Sequence, residues 1–118
     1  MEVDVHNAGN AAILELKRGS MRIDSVEDAL DLMALGYTHK AKAQIIHSQD
    51  LHPDFFDLKT GFAGELLQKY STYGNKLAVI GDFSELKSKS LRDFVYESNK
   101  TGHVVFTENT LEAITLLS

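Results

Sequence analysis

Acidic and imidazole side chains are concentrated in one short segment of the sequence, residues 48–60. This segment, SQDLHPDFFDLKT, contains Asp50, His52, Asp54 and Asp57 around the single proline of the chain. Carboxylates and imidazoles bind divalent cations, so one interpretation is a metal site. The other is that Asp54 or Asp57 caps the following helix and the remaining polar groups face water. The spacing matches no established metal motif, so we expect neither a metal nor a cofactor here.

Two aromatic residues and a threonine in the same region are candidates for recognition. Phe55 and Phe56 are adjacent, so both cannot easily face one core from a helical turn; we expect one to anchor the loop and the other to be partly exposed. An exposed ring would indicate a partner surface, and a role in the core is the alternative. Thr60-Gly61 is predicted at or just inside a helix start, where free backbone amides accommodate phosphate. Thr60 is therefore a candidate phosphosite, the alternative being a surface threonine beside a glycine that allows close packing.

Polar residues further along the chain extend this candidate surface. Asp82 follows an apolar run and is either an acid at the functional edge or the cap of the next turn. Arg92 and Glu97 lie on a predicted helix whose polar positions form either a solvated face or an interaction face. The predicted binding residues are Asp54, Phe55, Phe56, Asp57, Lys59, Thr60, Gly61, Asp82, Arg92 and Glu97.

Motifs that would name a catalytic mechanism are missing from the sequence. It contains no GxSxG, no glycine-rich phosphate loop and no HExxH. The five histidines are scattered, and His47 and His103 are predicted inside strands, where packing is their expected role. A Ser/His/Asp set stays open because its members need not be neighbours in sequence. We therefore predict no catalytic residues.

Composition excludes several classes of function. The 118 residues include 12 basic and 17 acidic ones, a net charge of −5 that disfavours nucleic-acid binding. There is no cysteine, hence no disulfide or thiolate chemistry. No apolar run approaches the ~20 residues that span a bilayer. The first residues carry neither a basic flank nor an apolar segment, so no secretory signal is expected. We predict one cytoplasmic domain over residues 1–118.

The hydrophobic pattern predicts an α/β fold in the order β-β-α-β-α-β-α-β-α. Residues 2–7 and 11–17 indicate an antiparallel hairpin around a Gly-containing turn. Three apolar runs, 43–47, 77–80 and 103–106, lack clear alternation, as do parallel strands that helices cover on both faces. We expect Gly36 in the left-handed position that ends the first helix. We also expect Leu111 to be buried in the last one. Together these elements form a single, mostly parallel, five-stranded mixed sheet.

Long segments of the sequence resemble a known family. The segments VEDALDLMA, HPDFFDLKTGFAGELLQKYSTYGNKLAVIGDF and SKSLRDFVYESNKTG resemble the bacterial family called domain of unknown function 4180. More remotely, the element order is similar to the STAS domain, the fold of anti-sigma-factor antagonists. In that family a Ser/Thr-Gly pair at a helix start is phosphorylated, which implies such a role for Thr60-Gly61. Here the acidic residue, Asp57, is one position further from the hydroxyl than usual, and Lys59 precedes it.

These observations lead to two functional hypotheses. The first is a non-enzymatic, STAS-like regulatory or protein-interaction module whose surface comprises residues 54–61 and the helix containing Arg92 and Glu97. The second is a small-molecule-binding protein or small enzyme that uses the acidic loop Asp50–Asp57 together with Asp82, and it requires a concave pocket there. A protein partner is expected under the first hypothesis, and no partner identity or oligomeric state follows from the sequence.

Overall fold

The computed structural model describes residues 1–118 as one five-stranded sheet with four α-helices. The strands are β1 (Val3–Ala8), β2 (Ala11–Leu16), β3 (Ala41–His47), β4 (Lys76–Ile80) and β5 (Val104–Thr107). The helices are α1 (Val26–Thr38), α2 (Phe62–Thr72), α3 (Lys89–Thr101) and α4 (Thr110–Leu117). The element order predicted from the sequence is confirmed. No helix combines the length and the apolar character that crossing a membrane requires.

The sheet is mixed, and its strands follow one another in sequence order. β1 and β2 form an antiparallel hairpin through the turn Gly9-Asn10, where Gly9 takes a left-handed φ of 64°. β2, β3, β4 and β5 are parallel neighbours. Because parallel crossovers share one hand, consecutive strands in this order direct their connecting helices to the same face. The result is an asymmetric sheet with three helices on one side.

The two faces of the sheet carry separate cores. On one face, α1, α2 and α3 pack over Leu14, Ile46, Val79 and Phe106. On the other, α4 packs alone, with Ala113 and Leu117 against apolar side chains of β2 to β5. Apolar side chains on both faces of the central strands explain why those strands read as unbroken apolar runs. The expectation that α4 buries Leu111 is wrong, because this side chain is 75 % exposed.

Short polar side chains set the starts of three helices. The hydroxyls of Ser25 and Ser88 and the amide oxygen of Asn109 each accept a hydrogen bond from a first-turn backbone N–H. Such caps satisfy amides that have no partner within the helix. Ser88 holds the start of α3 at the carboxyl-terminal edge of the sheet, beside the candidate site.

The segment between β3 and α2 consists of three 3-10 turns rather than an open loop. They span Ser48–Asp50, Pro53–Phe56 and Leu58–Thr60. Gly61 follows with a φ of 79° and stands just before α2. Gly61 is the N-cap residue of α2 and Thr60 immediately precedes it, so the pair lies at the helix start as expected, outside the first helical turn. Asp57 caps the last 3-10 turn and not α2.

Candidate functional site

The candidate site lies at the carboxyl-terminal edge of the parallel strands, where binding loops of open α/β sheets gather. Its anchor is Phe55, which is fully buried. The ring of Phe55 lies 5.0 Å from that of Phe56 and 6.2 Å from that of Phe106, measured between centroids. Phe56 is only partly buried, so the predicted division of roles between the two phenylalanines is confirmed.

Phe56 separates two open grooves in the surface. The first, of about 230 Å³, is lined by Ser48, Gln49, Phe56, Asp82, Phe83 and Leu86. The second, of about 390 Å³, is lined by Phe56, Asp57, Leu58, Lys59, Ser88, Ser90 and Leu91. Phe56 lines both grooves, and the centroid of its ring lies 6.1 Å from that of Phe83. We call this surface, Phe56 with its two grooves, the Phe56 surface.

Two acidic residues of the segment, Asp50 and Asp57, accept hydrogen bonds from backbone N–H groups. Asp50 is buried and accepts the backbone N–H of Gly19 with both carboxylate oxygens, at 3.2 and 3.1 Å. Asp57 accepts the N–H of Lys59 at 3.3 Å. These bonds fix the path of the backbone rather than form a common cluster, and no group of three or more His, Asp or Glu side chains is arranged to hold a metal ion.

The side chains of His52 and Asp82 likewise form hydrogen bonds with residues two positions further along the chain. The Nδ1 atom of His52 accepts the N–H of Asp54 at 3.0 Å. Asp82 accepts both the hydroxyl and the N–H of Ser84, at 2.6 and 3.0 Å. The hydroxyl bond first, and then the backbone bond, lower the pKa of Asp82 below its usual value. Asp82 thus caps its turn while also lining the first groove.

Thr60 stabilises the folded path of the segment. Its hydroxyl donates to the carbonyl oxygens of Asp54 and Asp57, both at 2.9 Å, and accepts the N–H of Phe62 at 3.2 Å. The side chain therefore joins two 3-10 turns to the start of α2. Thr60, Gly61 and Asp54 form the scaffold of the site and line neither groove.

The two predicted residues on α3 occupy different places. The guanidinium of Arg92 donates to the carbonyl oxygens of Leu86 at 2.8 Å and Lys87 at 3.1 Å, which holds the approach to α3. Glu97 is exposed and makes no side-chain hydrogen bond or ion pair. The structure thus brings Phe56, Asp57, Lys59 and Asp82 together at the grooves, while Arg92 supports them and Glu97 lies further along the helix.

A buried polar network on the α4 side of the sheet was not predicted from the sequence. The carboxylate of Glu15 accepts from Nε2 of His6 and Nε2 of His47, both at 2.7 Å. Nδ1 of His47 lies 3.3 Å from the guanidinium of Arg18. Because arginine only donates, Nδ1 of His47 is the acceptor, and the proton of neutral His47 therefore resides on Nε2, facing Glu15.

Electrostatics around Glu15 reflect two opposed effects. Burial by itself raises the pKa of this carboxyl, but hydrogen bonds from His47 and His6, together with the charge these rings carry when protonated, outweigh it and hold the pKa below the ordinary 4.5. Neither groove of the Phe56 surface includes a network member. The signal that could have found it is the lone acid in AAILEL, two positions after Ile13 and hence on the same strand face.

Comparison with known proteins identifies the family. The family model described as a domain of unknown function (DUF4180) matches residues 8–117, so the chain belongs to this family. Neither the curated proteins nor the solved structures include a match to the chain. The predicted resemblance to this family is confirmed.

Proposed function

Because membership of this family assigns no activity, we propose from the geometry of the site that the protein is a non-enzymatic regulatory or protein-interaction module. The observation that carries the proposal is the Phe56 surface, a partly exposed aromatic ring between two open grooves. The 3-10 turns that carry this ring are held by the hydrogen bonds of Thr60. Aromatic side chains supply much of the binding energy at protein interfaces, particularly where neighbouring contacts exclude water from them.

The grooves define the chemistry of the partner. Each pairs apolar walls with charge: Asp82 in the first groove, and Asp57 and Lys59 in the second. An extended peptide segment of a partner protein fits this arrangement, with apolar side chains on both sides of Phe56 and a basic residue toward Asp82. The small-molecule alternative lacks comparable support, because Asp50, His52, Asp57 and Asp82 each bind a nearby backbone N–H instead of converging on one cavity.

The proposal includes a cytoplasmic, STAS-like role in bacteria, supported by the element order and by the position of Thr60. A phosphate on Thr60 would add nearly two negative charges and remove the proton that the hydroxyl donates to Asp54 and Asp57. The 3-10 turns that contain Phe56 and Asp57 would then lose the hydrogen bonds that the Thr60 hydroxyl donates to them. Modification of Thr60 is thus a route by which binding at the Phe56 surface can be regulated.

The experiment is affinity capture from native extract with matched variants. Phe56→Ser removes the central ring, and we expect partner binding to fall roughly 30-fold, as for an interface anchor. Tyr37→Ser is the control, because Tyr37 is 84 % exposed at the opposite edge of the sheet, where α1 ends. Circular dichroism verifies that both variants fold.

Charge and switch variants complete the design. Lys59→Glu changes the second groove, while Lys42→Glu makes the same charge change at an exposed lysine outside both grooves. We expect only the first to weaken capture, by about tenfold. Thr60→Glu should alter capture more than Thr60→Val, which removes the same hydrogen bonds without adding charge. Equal partner recovery with Phe56→Ser, Lys59→Glu and wild type would refute the proposed surface.

A further inference from the structure

The two edges of the sheet differ in how their backbone groups are satisfied. At β5, the hydroxyl of Ser98 donates to the carbonyl oxygen of Val104 at 2.6 Å. The N–H of Phe106 donates to the side-chain oxygen of Asn99 at 2.7 Å. Both side chains come from α3, which therefore closes this edge to further strand pairing. No such closure exists at β1.

Hairpin geometry determines which groups of β1 face outward. The N–H of Lys17 donates to the carbonyl of Glu2, so residues 2 and 17 form a hydrogen-bonded pair. Such pairs alternate along an antiparallel ladder, and in the observed register Asp4, His6 and Ala8 continue the series. The N–H and C=O of Val3, Val5 and Asn7 therefore point away from β2. None of these six groups has a partner in a loop or side chain.

The open edge lacks several of the features that usually prevent strand pairing. Between Val3 and Ala8 there is no lysine, arginine or proline, and the pairing with β2 is regular throughout. Val5 in the middle of the strand is 38 % exposed. A regular strand with free backbone groups and an exposed β-branched residue is a template for another strand.

We infer that β1 pairs antiparallel with β1 of a second copy of the chain, with the two-fold axis at Val5. This register places Val5 opposite Val5 and Val3 opposite Asn7 of the other copy. All three are outward-facing residues, so the six free backbone groups of each copy bond to the six of the other. The two sheets become one continuous sheet across a symmetric, self-complementary interface.

Charge favours this register over the one with the axis at Asp4. With the axis at Val5, Asp4 of each copy stands opposite His6 of the other, so each carboxylate faces an imidazole rather than a like charge. Within its own hairpin, Oδ1 of Asp4 lies 3.6 Å from Nζ of Lys17, and Nε2 of His6 donates to Glu15. Moving the axis to Asp4 would place two carboxylates directly opposite each other, which is unfavourable.

The contact is small, and that limits its strength. A single strand of six residues forms less interface than the ~1,600 Å² typical of stable complexes. We expect a dimer with a dissociation constant of roughly 10–100 µM, and hence a reversible monomer–dimer equilibrium. The contact uses neither groove of the Phe56 surface, so its failure and that of the proposed function are independent.

Sedimentation velocity from low to high micromolar concentration tests the pairing. The wild type should shift from 13.1 kDa toward twice that mass. Val5→Pro should remain monomeric, because proline removes one outward N–H without breaking a hydrogen bond to β2. Val5→Thr, which retains the N–H and the β-branched shape, should dimerise within about threefold of wild type.

Two further measurements keep the outcome decisive. If Val5→Pro folds poorly, Val5→Lys leaves the backbone donors in place but opposes two ammonium groups across the axis, and should weaken dimerisation at least about tenfold. Hydrogen exchange should show protection of the Val3, Val5 and Asn7 amides that rises with concentration, while that of Phe106 stays constant. A wild type that is monomeric throughout, or a dimer indifferent to both Val5→Pro and Val5→Lys, overturns the inference.

Discussion

Replacing Glu15 by glutamine removes one charge from the network of His6, His47 and Arg18 and keeps its shape. His47 is held by Arg18 with its proton on Nε2, so the new amide must turn its oxygen toward His47. The amide NH₂ then faces Nε2 of His6, which accepts after its proton moves to the other ring nitrogen. Both contacts survive as neutral hydrogen bonds.

The cost of the substitution follows from these contacts. Hydrogen bonds to a charged group contribute about 1.5–3 kcal/mol and neutral ones about 0.5–1.5. With two bonds weakened, and His6 partly exposed, we expect Glu15→Gln to lower the free energy of unfolding by about 2 kcal/mol. Glu15→Ala should cost about 4 kcal/mol, because the N–H of buried His47 is left without an acceptor.

The pH dependence of unfolding distinguishes charge from packing. The pKa of Glu15 is lower in the folded protein than the ordinary 4.5, so the unfolded chain binds more protons as the solution is acidified. The stability that the ionised carboxylate contributes is fully present above about pH 4.5, and it is lost as the pH falls through the folded pKa. Glutamine does not titrate, so the difference in unfolding free energy between wild type and Glu15→Gln should become smaller as the pH falls below about 4.5.

Urea denaturation at about pH 7 measures the loss of unfolding free energy, and the same experiment at intervals from about pH 5.5 to 3 measures its pH dependence. In both, a shift of the urea midpoint without a change in the slope of free energy against urea reports a change in stability. Glu85→Gln is the control, because Glu85 is exposed and makes no side-chain hydrogen bond or ion pair. We expect it to change stability by less than about 0.5 kcal/mol. An equally small change in stability for Glu15→Gln at neutral pH, together with the same pH dependence of unfolding free energy as wild type, would show that the charge of Glu15 does not stabilise the network.

Two further substitutions test local packing, each by urea denaturation. Burial raises the pKa of the Tyr70 hydroxyl far above its usual value, and that hydroxyl has no partner. We expect Tyr70→Phe to leave stability unchanged or raise it by about 1 kcal/mol, and a loss above about 1 kcal/mol would reveal a missed partner. At Gly81 an added Cβ would lie 2.5 Å from Oγ of Ser48 and 3.1 Å from the ring of Phe83. Gly81→Ala should therefore cost about 2 kcal/mol and displace the first groove, and a neutral result would contradict that close contact.

Local patterns in the sequence were sufficient to predict the element order, because apolar runs and turn residues are properties of neighbours in the chain. Close approach between distant segments was not visible in the same way. Gly36 was expected at a left-handed helix end, but α1 continues to Thr38 and the positive φ of 58° belongs to Lys40. Gly36 instead lies where a Cβ would be 3.1 Å from both the carbonyl oxygen of Ala41 and the Gln44 amide.

The candidate site shows the same limit. The segment 48–61 could be identified because its polar and aromatic residues are contiguous, and adjacency alone predicted that Phe55 and Phe56 would separate. The contribution of Ser88 and Leu91 to the second groove depends on how α3 meets the 3-10 turns. The Glu15 network unites residues from three strands and the chain after β2, so the lone acid in AAILEL marks its position but no local pattern identifies its partners.

Photo-crosslinking in cells shows whether the Phe56 surface binds a protein partner. A photoreactive phenylalanine analogue is placed at Phe56 in one strain and at exposed Tyr37, at the opposite edge of the sheet, in another. We expect a discrete adduct with one partner from position 56 that is absent from position 37 and is reduced by Lys59→Glu. No adduct from position 56, or the same adducts from both positions, would contradict it.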